Sequence, residues 1–212
     1  MNKIQEQRFK ENKSEKLRVF VAGDFHGNSS ISKKLASDAE KSKADLVILI
    51  GDLTGPVKTK DIIKPFTDKK QKVLFVPGNW ETEEEAQNFV NLYGIKNLEK
   101  NYVGYKGVGI FGIGAADWTL YPEDEKVFEH LKRQNEKLRN LERKIMVSHV
   151  HAAGTKSELS GIPGSDGIRK AIDKLQPDLF LAGHIHELEG AEEKIGKTKV
   201  VNVGRRGRVF EI

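Results

Sequence analysis

Residues 18–27 read Arg18-Val19-Phe20-Val21-Ala22-Gly23-Asp24-Phe25-His26-Gly27. The first half is a short apolar run of strand length, and polar residues flanked by glycine follow it at once. The same pattern repeats along the chain. Asp45–Ile50 runs into Gly51-Asp52-Leu53-Thr54-Gly55, and Lys72–Val76 into Pro77-Gly78-Asn79-Trp80-Glu81. Lys144–Val147 runs into Ser148-His149-Val150-His151, and Asp178–Ala182 into Gly183-His184-Ile185-His186-Glu187. Helical candidates lie between these runs at about 30–43, 59–67, 83–93, 123–142 and 165–176. Pro122 suits the first position of one helix, where a missing N–H costs nothing, and Ser165 can cap another. Alternating strand and helix predicts an α/β domain in which five strand carboxyl ends meet on one rim, where such sheets bind ligands. Stretches 101–114 and 188–212 carry a glycine-punctuated β pattern and are expected to form hairpins of a second sheet. The longest irregular connection, 149–164, is of a length that often carries function.

Composition bounds the remainder. A chain of 212 residues, 37% hydrophobic and 32% charged, can bury one substantial core, so a single domain is the expectation. Residues 1–16 lack a clear apolar face and read as a solvated arm, with the domain spanning 17–212. The formal charge is +5, and residues 1–18 hold six Lys/Arg against three Glu, so only about +2 belongs to the body. That is a poor footprint for a nucleic-acid surface. No apolar run approaches the ~18 residues needed to cross a bilayer, and no segment resembles a signal peptide, so no membrane partner and a cytoplasmic location are expected. The absence of cysteine excludes thiolate ligands and a cysteine nucleophile, leaving oxygen and nitrogen to hold any metal.

The residues at the strand ends supply such donors. In extended backbone, residues two apart point the same way, so Asp24 with His26, and His184 with His186, can present ligands together. Asp24, His26, Asp52, Asn79, His149, His184 and His186 make a mixed nitrogen and oxygen set that suits manganese, iron, zinc or nickel better than magnesium or calcium. Seven ligands exceed what one such ion takes. Two ions sharing a carboxylate would use them all, in the arrangement that polarises a phosphoryl group while activating water. His149 and His151 could each be the ligand from this segment, and His149, directly after Ser148, is preferred.

The blocks Gly-Asp-x-His-Gly, Gly-Asp-x-x-Gly, Gly-Asn, Ser-His and Gly-His-x-His, in this order over residues 18 to 204, resemble the calcineurin-like metallophosphoesterase superfamily. The run Gly164-Ser165-Asp166-Gly167-Ile168-Arg169 through Pro177 to Glu187 is most similar to its archaeal and bacterial Icc-related subgroup. The resemblance implies a two-sheet β-sandwich flanked by helices. It implies a first metal on Asp24, His26, Asp52 and His186, and a second on Asp52, Asn79, His149 and His184, manganese foremost. Asp52, Asn79 and His149 are then the residues closest to the chemistry. The implied activity is hydrolysis of phosphate esters, phosphodiesters foremost, in a small phosphate-ester or nucleotide substrate. A weakly active metal-binding interaction module and a nuclease are the competing readings.

One position departs from the pattern. The third block usually continues Gly-Asn-His, and that His assists the leaving group; here it is Trp80. Indole cannot act as a general acid at ordinary pH. Trp80 is therefore a candidate substrate platform, with His151 and Arg205 as further candidate substrate contacts. Glu81 reads as a turn carboxylate or one behind the ligands, and His130 as a surface residue of its helix.

Overall fold

The computed structural model describes residues 16–56, 61–116 and 123–212. The expected arm 1–16 therefore lies outside it save for Lys16, and so does Pro122. Eleven strands are formed by the described residues: β1 (Arg18–Ala22), β2 (Leu46–Ile50), β3 (Val73–Val76), β4 (Lys96–Asn97), β5 (Val103–Tyr105), β6 (Val108–Ile113), β7 (Arg143–Ser148), β8 (Leu179–Ala182), β9 (Glu192–Ile195), β10 (Thr198–Asn202) and β11 (Arg208–Glu211). Five α-helices accompany them: α1 (Ser29–Lys41), α2 (Lys64–Asp68), α3 (Glu83–Tyr93), α4 (Asp124–Lys137) and α5 (Asp166–Leu175).

The strands form two sheets, ordered β11-β1-β2-β3-β4 and β5-β6-β7-β8-β10-β9. Period-two alternation explains how they stack. Val19 and Val21 of β1, Ile48 and Ile50 of β2 and Leu74 and Val76 of β3 share one core with Ile110, Ile145, Val147, Leu181 and Val201 of the second sheet. The alternate residues Phe20, Val47, Leu49 and Phe75 face outward beneath Leu35, Ala36 and Ala39 of α1, Phe66 of α2 and Ala86 of α3. Phe111, Met146 and Phe180 do the same beneath Val127, Phe128 and Leu131 of α4 and Ile168, Ala171 and Ile172 of α5. The result is four layers, helix on sheet on sheet on helix, as the resemblance implies.

Local chemistry fixes the helix ends. Asn28 caps α1 by accepting from the Ser30 and Ile31 N–H groups, both at 3.1 Å. Thr82 and Glu85 form a capping box at α3, whose C-terminal cap, Gly94, turns left-handed at φ 64°. Ser165 caps α5 as its type suggests.

Four expectations need correction. The stretch 188–212 does not stay in one sheet: β9 and β10 form a hairpin in the second, but β11 crosses to the first and pairs antiparallel with β1, Arg18 opposite Glu211. The helix expected at 123–142 stops at Lys137, after which Leu138 turns inward and is buried. The helix expected at 59–67 starts only at Lys64, with Pro65 in its first turn where proline is tolerated; residues 59–60 lie outside the described part. His130 is not a surface residue but half-buried beside the core face of α4, its Nε2 enclosed without a hydrogen-bond partner among the described residues and its pKa lowered by burial.

Candidate metal centre

The carboxyl ends of β1, β2, β3, β7 and β8 open on one rim, and each loop there brings donors. Two clusters result, Asp24 with His26 and His186, and Asp52 with His149 and His184, the ligand atoms within each lying within 4.8 Å of one another. Asp52 lies between them. Its Oδ2 is 3.8 Å from His26 Nε2 and its Oδ1 is 3.3 Å from His149 Nε2, so each oxygen faces a different cluster. Asn79 completes the second group, with Oδ1 3.0 Å from His149 Nε2. All seven residues singled out in the sequence are thus brought together.

The backbone is bent to achieve this. Asp24, His26, Asp52 and His184 all sit at positive φ, between 46° and 71°. Each such left-handed residue costs about 1–3 kcal/mol and persists only where its surroundings over-determine it. Here the loops brace one another. The Asp24 N–H donates to Gly51 O at 3.0 Å, the His26 N–H to Asp52 O at 2.8 Å and the Gly27 N–H to Leu53 O at 2.9 Å. Gly78 is required by close approach, since a Cβ there would run into Asp52 Oδ1.

Glu81 is the carboxylate behind the ligands, and it braces two loops at once. Wholly buried, its carboxylate accepts from the Asp52 N–H (2.9 Å) and Gly78 N–H (2.7 Å) on Oε2, and from the Thr54 N–H (2.8 Å) and hydroxyl (2.9 Å) on Oε1. The signal available in the sequence is its place two residues beyond Asn79, opposite a loop rich in free N–H groups.

Electrostatics sets the two histidines of each cluster apart, one raised and one lowered. Burial acts to lower His149, but the charge and hydrogen bond of Asp52, with help from Asp24 and Ile50 O, push it up to about 9. His184 is driven down to about 4 by burial and by the neighbouring His149. Asp52 is held below the usual carboxylate range because the His149 charge and hydrogen bond overcome its burial. His186 is raised by its hydrogen bond to Asp24, against burial and the positive charge of Arg205.

The donor set fits two divalent ions. Asp24 Oδ2 is enclosed with no hydrogen-bond partner among the described residues, and His26 Nε2 faces His186 Nε2 at 3.0 Å, two ring nitrogens turned toward each other as ligands of one ion would be. Asp52 and His149 are buried, whereas the side chains of His26 and His186 are 24% and 34% exposed, His184 is half-buried and Asn79 is exposed, so both clusters have an open side.

The candidate substrate contacts are placed differently from one another. Trp80 is 44% exposed, its ring edge-on to His26 at 5.7 Å. Arg205 is exposed on the turn after β10. His151 lies behind the centre instead, buried, stacked on His184 at 6.4 Å and with Nε2 3.2 Å from Ile162 O. Of the two histidines of this segment, His149 lies against Asp52 and His151 against His184.

The sequence profile of the calcineurin-like phosphoesterase superfamily domain matches residues 17–211. The chain belongs to that superfamily. Among solved structures, this phosphoesterase-superfamily chain is similar to the protein TT1561 of Thermus thermophilus, with a TM-score of 0.67 at 19% identity over 92% of this chain and 99% of that one. It is also similar to a dimetal phosphatase from Danio rerio, with a TM-score of 0.58 at 11% identity over 89% of this chain and 88% of that one. A purple acid phosphatase from yellow lupin seeds gives 0.59 at 15% identity, over 92% of this chain but 45% of its own. These likenesses show a shared fold. Comparison with curated protein sequences gives no significant match.

Proposed function

We propose that this chain hydrolyses phosphodiesters at a dinuclear centre held by Asp24, His26, Asp52, Asn79, His149, His184 and His186, with manganese as the working ion. The observation that carries the reading is Asp52, whose two oxygens address two separate donor clusters. Two bound ions supply a water nucleophile at neutral pH and neutralise charge on the phosphoryl oxygens. The residues do the rest. Asp52, fixed by Glu81 at its own N–H and by the Trp80 N–H at Oδ1 (3.1 Å), sets the spacing of the two clusters. His149 is held from behind by Ile50 O at 3.0 Å from Nδ1, which leaves Nε2 as the ligand atom. No acid stands at position 80, so the leaving group departs without its usual proton, which favours esters whose leaving group is a weak base.

The test is metal content together with turnover. Wild type should bind two ions per chain and hydrolyse bis(p-nitrophenyl) phosphate, whereas Asp52→Asn should lose turnover and occupancy at both positions. Retention of both ions and of turnover in Asp52→Asn rejects the shared-carboxylate reading. A second reading, a metal-retaining module with feeble turnover, is favoured by one feature, Trp80 in place of the acid; two bound ions with no turnover of any ester would select it.

A further inference from the structure

Two features of the open rim are not used by the chemistry above. The first is Trp80. Its backbone is fixed on both sides, the N–H donating to Asp52 Oδ1 at 3.1 Å and the carbonyl accepting from the Thr54 hydroxyl at 3.0 Å. The residue nonetheless stays 44% exposed, forgoing burial of a large apolar surface at the lip of the site. A flat, low-entropy ring on a fixed backbone, left uncovered, suits a stacking platform.

The second feature is the turn Gly204-Arg205-Arg206-Gly207. It is pinned to the centre by the Gly23 N–H, which donates to Gly204 O at 3.0 Å, and on its other side by the Arg206 N–H, which donates to Glu189 Oε1 at 2.6 Å. Arg206 pairs with Glu189 at 3.8 Å and Arg208 with Glu192 at 2.8 Å. Arg205 alone of the three has no carboxylate partner among the described residues, and its charge is felt at His186. Along the rim the order is Trp80, His26 (5.7 Å between rings), His186 (4.9 Å from His26) and then Arg205. The aromatic platform therefore stands beside one half-exposed histidine of the first cluster, His26, and the cation near the other, His186.

We propose that the site selects phosphate compounds carrying a flat aromatic ring, which lies on Trp80, and a second anionic group, which Arg205 engages. Nucleoside compounds with more than one phosphate have this layout. The proposal rests on the dinuclear phosphoesterase reading for the place of the first phosphate, and its test is a binding measurement, so that the two can fail separately. Calorimetric titration of the full chain, loaded with Mn²⁺ at constant free ion, compares ribose 5-phosphate, adenosine 5′-monophosphate and adenosine 5′-diphosphate. The monophosphate should bind roughly 5- to 100-fold tighter than ribose 5-phosphate, the range expected for one stacked base. That advantage should vanish in Trp80→Ala and survive in Arg205→Ala. The diphosphate should gain a further factor of roughly ten, as a charge-assisted hydrogen bond provides, and that gain should vanish in Arg205→Ala and survive in Trp80→Ala. Equal affinity for ribose 5-phosphate and the monophosphate in wild type, or a diphosphate gain that survives Arg205→Ala, overturns the proposal. Absence of ester turnover rejects the hydrolytic reading alone, since the titration reports the rim contacts whether or not chemistry follows.

Discussion

At the scale of single residues the decisive departure is Trp80. A histidine at that position has a pKa near neutrality and can protonate a departing alkoxide, and the indole cannot. A diester with a weakly basic leaving group needs little of that help, whereas an alkyl monoester needs much. Trp80→His should therefore raise turnover of alkyl monoesters by ~10-fold or more, with little change for activated diesters. Rates across esters of graded leaving-group pKa measure this directly, and a slope identical to that of wild type would reject the missing acid. Neighbouring residues show how far a sequence reaches at this scale. That His149 and not His151 meets Asp52 follows from backbone direction at the end of β7, which no residue type encodes. The unpaired state of Arg205 likewise depends on where Glu189 and Glu192 fall, and those contacts are made by folding.

At the scale of elements, the site is a set of loops held against their own strain, and Glu81 is where the loops after β2 and β3 are tied together. Removing its carboxylate strands three buried N–H groups, those of Asp52, Thr54 and Gly78, at ~1–3 kcal/mol each. Glu81→Ala should thus lower unfolding stability by about 3 kcal/mol or more and reduce metal affinity at both clusters, because the two oxygens of Asp52 face both. Glu81→Gln is the sharper variant. Either orientation of the amide sets an NH₂ against donors that now meet an oxygen, so about half the loss should remain although volume is unchanged. Denaturant unfolding of the metal-free protein, with ion titration beside it, would show this; a Gln variant equal to wild type in both would remove Glu81 from its positioning role. The strands and the rim are readable in the sequence because each apolar run ends abruptly in Asp, Asn or His, next to Gly in all but the run before His149. Their division between two sheets is not. Every residue of β2 is buried, and so is all of β1 but Arg18, so polarity does not alternate to say which face meets a second sheet. The return of β11 to the edge of the first sheet is a pairing across nearly the whole chain, Arg18 with Glu211, to which local pattern is blind.

At the scale of the molecule, two sheets packed face to face bring strand ends from both onto one rim, and the charges collected there make metal binding and folding a single problem. In the metal-free protein His149 has a pKa of about 9 against an ordinary 6.5, so its protonated form is favoured by folding. That contribution is fully present below pH 6.5 and is lost as pH rises through 9. His184 works the other way: at about 4 it is neutral in the folded state, and its contribution, present above 6.5, is lost as pH falls through 4. His186, also raised, adds to the alkaline loss, and His26 and His151, lowered by burial, add to the acid one. Thermal stability of the chelated protein should therefore peak near pH 6.5 and decline on both sides. Ions require neutral imidazoles, so metal binding between pH 6.5 and 9 must displace the His149 proton, and about one proton should be released per chain at pH 8. With His149 held neutral, the alkaline decline should largely disappear in the loaded protein, whereas the acid decline should steepen as protons compete with the ions for all four histidines. Melting temperatures from pH 5 to 10, with chelator and with saturating Mn²⁺, together with indicator-detected proton release on loading, test the sequence of signs. A chelated protein whose stability is flat from pH 6.5 to 9, with no proton released on loading at pH 8, would show that His149 is neutral before the ion arrives and that the Asp52–His149 pair does not hold a proton in the ion's place.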